Sequence, residues 1–175
     1  MNDNSSKRLA QILGITGLLP LLIADVVTLN FLPKSVLTQS GLIHLLIKQL
    51  APLKDYSLIA VSLGNIYAAI ILSFLGAIHW GLALDRSQNA DKTGPLLLWS
   101  VIPALWGFFA LWWSPLLATL LLMLGFIAQW LADFRLQRQG YPWPSWFFPL
   151  RSGLTLGILI LLGVLATEIY SMLQS

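Results

Sequence analysis

Apolar runs long enough to cross a bilayer recur along the chain, and most of the charge lies between them. A helix needs about 20 mainly apolar residues to span a hydrocarbon core of roughly 30 Å. The first such run is Leu9 to Leu29, interrupted by Pro20 and Asp25. Leu58 to Leu84 is the second and longest. Pro95 to Trp113 and Leu116 to Leu131 follow, separated only by Ser114 and Pro115. Joined, they would be too long for one crossing, and proline cannot continue the hydrogen-bond ladder, so the pattern predicts a tight helical hairpin. Gly153 to Tyr170 is the fifth run. In hydrocarbon every backbone polar group must be paired internally, which leaves helices or closed barrels. Barrel strands alternate apolar and polar residues, whereas these runs are continuously apolar. The expectation is all-α, an integral membrane bundle of about five transmembrane helices forming a single membrane domain over residues 1–175.

The first loop has a pattern of its own. Between Ser35 and Leu50, residues Leu42, Ile43, Leu46, Ile47 and Leu50 share one helical face, while Gln39, His44 and Lys48 share another. This spacing predicts a short amphipathic helix, lying on the outer membrane surface or capping the bundle. Lys7 and Arg8 could serve as the basic region of a signal peptide, but the apolar run is long and no A-x-A-like cleavage site follows, so the run is read as a retained helix.

Charge sets the orientation. With five spans, Lys7, Arg8, Arg86, Lys92, Arg135, Arg138 and Arg151 lie on one side and Lys34, Lys48 and Lys54 on the other. The excess of Lys and Arg places the N-terminus in the cytoplasm and the C-terminus outside. Composition agrees with a membrane chain: 57% of residues are hydrophobic and 10% charged, against roughly 25% charged in soluble domains, and mean hydropathy is +0.78. The net charge of +3 is scattered through loops, which suits topology and lipid headgroups rather than nucleic acid. There is no cysteine, which excludes disulfides and thiolate-held metals.

Polar residues inside spans are costly and usually face the bundle interior. In the second run Ser62, Asn65, Ala69, Ser73, Gly76, His79 and Trp80 fall on one broad side. Small and hydroxylated residues let helices approach closely, so Ser62, Ala69, Ser73, Gly76 and Gly81 are expected to pack against neighbours. Gly153 and Gly157 form a G-x-x-x-G step of the same kind, suited to packing within the chain or to a homo-oligomer. Asp25, Asn65 and Tyr67 could form an outer polar cluster. At the opposite end His79 and Trp80 lie near Asp85, Asp133, Arg135 and Arg151, a candidate ligand or proton site. A histidine bonded to a backbone carbonyl in a helix seam is the plainer outcome. The segment from Tyr141 to Pro149 reads as an aromatic belt whose prolines keep it from forming another helix.

His44 and His79 are expected on opposite membrane sides, which argues against a bis-histidine haem. No cofactor and no metal is predicted, although a single-histidine haem or a bound quinone stays compatible with the sequence. No catalytic constellation, P-loop, dinucleotide fingerprint or H-E-x-x-H site is found.

The run from Tyr67 to Leu84, with Gly76, His79, Trp80 and Gly81, resembles the signature helix of domain-of-unknown-function family 3429, which includes mitochondrial transmembrane protein 69. Gly17 to Pro20, Pro103 with Trp106, Gly125-Phe126 leading to Asp133, and Trp146 to Arg151 followed by Leu154-Thr155 carry the resemblance through most of the chain. Ala77 and Phe147 depart from the family pattern, and Phe31 to Tyr56 is a longer connection than usual. The resemblance implies a multi-pass protein of bacterial or mitochondrial inner membranes and brings no activity, cofactor or catalytic residue. The first functional expectation is a non-enzymatic accessory or assembly partner of another inner-membrane complex. The second is an oligomeric binding or transport protein for a proton, lipid or quinone-like molecule. A membrane enzyme using His79 and Asp133 as an acid–base pair is a weaker third. Expected partners are membrane lipids, with another inner-membrane protein or a second copy of the chain, and no nucleic acid.

Overall fold

The computed structural model describes residues 3–28, 56–85, 90–141 and 144–174. These form six helices: α1 (Asp3–Thr16), α2 (Leu19–Thr28), α3 (Tyr56–Asp85), α4 (Ala90–Ala110), α5 (Pro115–Arg138) and α6 (Phe147–Gln174). The amphipathic helix expected between Ser35 and Leu50, and His44 within it, lie outside the described residues. Among the described residues five helical segments are long and apolar enough to cross a membrane, α1 and α2 together making the first.

The break in that first segment follows from Pro20. Its missing N–H and its ring both act on the carbonyl four residues earlier, which belongs to Thr16, the last residue of α1. The chain tightens there, with the Leu18 amide bonding the Ile15 carbonyl, before regular spacing resumes from Leu22 to Leu18. The hairpin expected at Ser114-Pro115 is present: α4 ends at Ala110 and α5 starts with Pro115, a first-turn position that needs no N–H partner.

The last span begins earlier than expected. Helix α6 starts at Phe147 and takes Pro149 into its first turn, where a proline leaves no bond unmade. The prolines of the aromatic segment therefore delay the helix without excluding it. This extension puts Arg151 on a helix. Helix α5 closes with a left-handed Gly140 (φ 74°). The Gly140 amide bonds the Gln137 carbonyl and the Tyr141 amide bonds the Leu136 carbonyl, the pairing of a Schellman ending. It folds Tyr141 back against Leu136, Ala83 and Leu96.

The main core joins Leu21 of α2, Val61, Ala68 and Leu72 of α3, Leu122 and Phe126 of α5, and Ile158, Leu162 and Leu165 of α6. Helix α4 docks on α3 through glycines. A Cβ on Gly76 would come 2.7 Å from the Ser100 carbonyl oxygen, and one on Gly107 would meet the Ala69 Cβ at 3.2 Å. Gly125 does the same for α5, where a Cβ would lie 2.6 Å from Leu72. Such small-residue contacts replace the hydrophobic effect as the source of helix affinity in lipid. Lys7, Arg135 and Arg151 share one end of the bundle, called here the basic end; the α4–α5 turn marks the hairpin end.

Candidate functional site: a buried polar cluster joining four helices

At the basic end α3, α4, α5 and α6 each contribute a polar side chain to one cluster. His79 and Gln129 are 1% exposed, Asp133 3% and Arg151 7%. Gln129 and Asp133 are one helical turn apart, so both project from the same face of α5. The Arg151 Nε donates to Asp133 Oδ2 at 2.7 Å. The Gln129 amide donates to Asp133 Oδ1 at 3.2 Å. His79 Nε2 lies 3.3 Å from the same oxygen.

The orientation of the Gln129 amide follows from Trp99. An indole N–H can only donate, and Trp99 Nε1 reaches Gln129 Oε1 at 3.2 Å. The amide nitrogen therefore points at Asp133 and at His79 Nδ1, 3.3 Å away. That last contact is a hydrogen bond when Nδ1 is the acceptor; Nε2, although 3.3 Å from Asp133 Oδ1, makes no hydrogen bond in this geometry. The cluster thus gathers Arg151, Gln129 and the His79 ring around the Asp133 carboxylate.

Two open spaces adjoin it. A cavity of about 350 Å³ reaches His79 and is lined by Trp99, Arg135, Gln139 and Tyr141, with Pro95, Leu96, Ala132 and Leu136 as its apolar wall. Among the described residues no carboxylate lines it. Trp99 also borders a second space of about 450 Å³ between α4 and α5, walled by Ile102, Pro103, Trp106, Leu124 and Leu131 and almost wholly apolar.

The other residues singled out by sequence fall as follows. Trp80 is 49% exposed and points away from the cluster. Arg135 is exposed and reaches the site only as part of the cavity wall. The side chain of Asp85 lies outside the described set. Toward the hairpin end Asp25 and Asn65 are buried, but Asn65 and Tyr67 turn to different partners. The Asn65 amide donates to the Pro115 carbonyl at 3.2 Å. The Thr119 hydroxyl lies 2.9 Å from both Asn65 Oδ1 and that carbonyl. The Tyr67 hydroxyl donates to the Gly17 carbonyl at 2.8 Å, at the break between α1 and α2. Ala69 and Gly76 face α4, Gly157 approaches Leu18, and a Cβ added at Gly81 or Gly153 would meet nothing within 4 Å. Ser73 returns its hydroxyl to the Ala69 carbonyl of its own helix, and Ser62 is exposed.

Gln129, Trp99 and Thr119 were not foreseen. The signal for Gln129 was its place one turn before Asp133 in an otherwise apolar run; for Thr119, its position one turn after Pro115.

Five helical segments of membrane-crossing length among the described residues, with a buried polar cluster at one end, define a multi-pass membrane protein. Residues 6–167 match the family described as "Protein of unknown function (DUF3429)", and the chain belongs to that family. No curated protein and no solved structure matches it.

Proposed function

We propose that this chain is a non-enzymatic binding protein of the bacterial inner membrane, which holds the oxygen-bearing head of a bilayer-borne amphiphile beside His79. The carrying observation is the cavity that joins a nearly solvent-free histidine to an apolar cleft through the shared wall of Trp99. Ionisable groups within spans mark functional sites, and a mostly apolar pocket with a few convergent polar groups is the usual form of a small-molecule site. Arg135 and Tyr141 in the lining can donate to a quinone carbonyl or to a carboxylate or phosphate oxygen, while the α4–α5 cleft accommodates a chain. Of the cofactors compatible with the sequence, a quinone is the one this arrangement carries forward. The excess of Lys and Arg at the basic end supports an orientation with that end in the cytoplasm.

The test is photolabelling of the protein in nanodiscs with a short-chain azidoquinone and, separately, a diazirine fatty acid. Labelling of peptides from α4 and α5 is expected with at least one probe, and His79→Ala should reduce it without lowering the yield of folded protein. Arg135→Gln separates the classes, weakening the fatty acid several-fold and leaving the quinone nearly unchanged. Equal labelling of the His79→Ala protein, or none above an unrelated membrane protein, would overturn the reading. A reproducible crosslinked partner in membranes, with an unlabelled cavity, would instead favour the accessory or assembly role.

A further inference from the structure

The first crossing segment stands partly away from the bundle. Two open spaces run in line along its cleft with α6. One, of about 600 Å³, is lined at its basic end by Lys7, Gln11, Ser145 and Trp146 and deeper by Leu150 and Gly153. The other, of about 330 Å³, continues past Leu22, Gly157 and Ile160. Ile15 and Leu18 wall both, so the two form one slot. Its polarity is graded: a cation, an amide, a hydroxyl and an indole at one end, aliphatic side chains at the other.

Length and charge select the occupant. Lys7 to Leu18 spans about 16 Å of helix rise, close to the roughly 15 Å depth of one leaflet. Among the described residues no carboxylate lines the slot, and Arg8, next in sequence to the lining Lys7, is exposed. Gly153 forms part of the floor, where a Cβ would meet nothing within 4 Å. By contrast Gly14 and Gly157 are used, by Leu154 and Leu18, to hold α1 and α2 onto α6. The cleft is therefore pinned at those two contacts and open at Gly153.

We propose that this slot binds one anionic phospholipid, with its phosphate at Lys7 and Arg8 and an acyl chain along Gly153, Ile15 and Leu18. The site is separate from the His79 cavity and does not depend on it. Headgroup selectivity comes from the two cations, and retention comes from the apolar slot. One basic side chain at an anionic surface changes binding roughly fivefold.

Native mass spectrometry of the full chain tests this, after exchange into detergent containing equal phosphatidylglycerol and phosphatidylcholine. One retained phosphatidylglycerol is expected, in several-fold excess over phosphatidylcholine. Gly153→Leu should lose both lipids while keeping its helical content and thermal transition. Lys7→Gln with Arg8→Gln should retain lipid but lose the preference. Photoactivatable phosphatidylglycerol reads the site without substitution, by crosslinks to peptides carrying Ile15 and Leu154. Lack of a preference in the native chain, full retention by a folded Gly153→Leu protein, or crosslinks confined to other helices would each overturn the proposal.

Discussion

The Arg151 Nε and the Asp133 carboxylate meet at 2.7 Å between α5 and α6, both almost completely buried. Neither charge is tolerable there alone. Removing one partner of a buried pair costs about 3–5 kcal/mol because the other is left uncompensated. Arg151→Met should therefore lower stability by roughly that amount, seen as an early thermal transition in detergent micelles. Adding Asp133→Leu should recover much of the loss, since a buried pair replaced by apolar residues is often near neutral. Failure of the double variant to improve on Arg151→Met would show that the carboxylate is not the source of the cost.

The glycines of α3 separate into two kinds. A Cβ on Gly76 would come 2.7 Å from the Ser100 carbonyl and 2.9 Å from Pro103, whereas one on Gly81 meets nothing within 4 Å. Gly76→Ala forces α4 away and should destabilise by about 1–3 kcal/mol. Gly81→Ala removes a helix-interior glycine at no steric cost and should stabilise by about 0.5–1 kcal/mol. Thermal unfolding of the two variants side by side checks the contrast, and equal effects would contradict the close approach at Gly76.

The spans were legible because hydropathy is averaged over many residues and tolerates errors at any one of them. The hairpin was legible because Ser114-Pro115 is a local break between two such runs. The start of α6 was not, because a proline in a helix's first turn and one that blocks a helix look alike in sequence. At the basic end, His79, Asp133 and Arg151 were grouped by depth alone, and the packing of α3, α5 and α6 brings them into contact. Depth alone named no partners for Asn65 and Tyr67, because the direction each side chain takes around α3 decides what it meets. Gln129 and Trp99 passed unnoticed since an amide and an indole carry no charge; only their shared hydrogen bond makes them part of the site.

An aromatic seam tests how α6 is seated. The Trp130 ring stacks on Phe134 at 5.6 Å, Phe148 leans on both, and Trp130 Nε1 donates to the Ser152 hydroxyl at 3.0 Å. Ser152 and Arg151 are adjacent, so the seam sets the first turns of α6 that deliver Arg151 to Asp133. Trp130→Leu keeps an apolar side chain but loses the stack and the bond, and should cost about 1–3 kcal/mol. Trp130→Phe should keep most of the stacking and lose the bond alone, about 1 kcal/mol. The order Leu worse than Phe, read from thermal transitions, is the expected result.

Two buried amides give the sharpest contrast, because the same chemistry has different neighbours. Asn65 bonds the Pro115 carbonyl and the Thr119 hydroxyl. When Asn65→Leu removes the amide, Thr119 can still donate to Pro115 at 2.9 Å. The loss should stay near the average for an interhelical hydrogen bond in a membrane, about 0.6 kcal/mol. Gln129 instead accepts from Trp99 and donates toward Asp133. Gln129→Leu leaves the indole N–H unmatched and removes one of the donors around the carboxylate, each such orphan costing about 1–3 kcal/mol. It should also move His79, whose Nδ1 faces that amide, so Gln129→Leu should change the histidine ring resonances in a nuclear magnetic resonance spectrum while Asn65→Leu leaves them in place. Similar costs for the two variants, with an unmoved His79 signal, would mean that the four-helix cluster is not coupled in the way its hydrogen bonds describe.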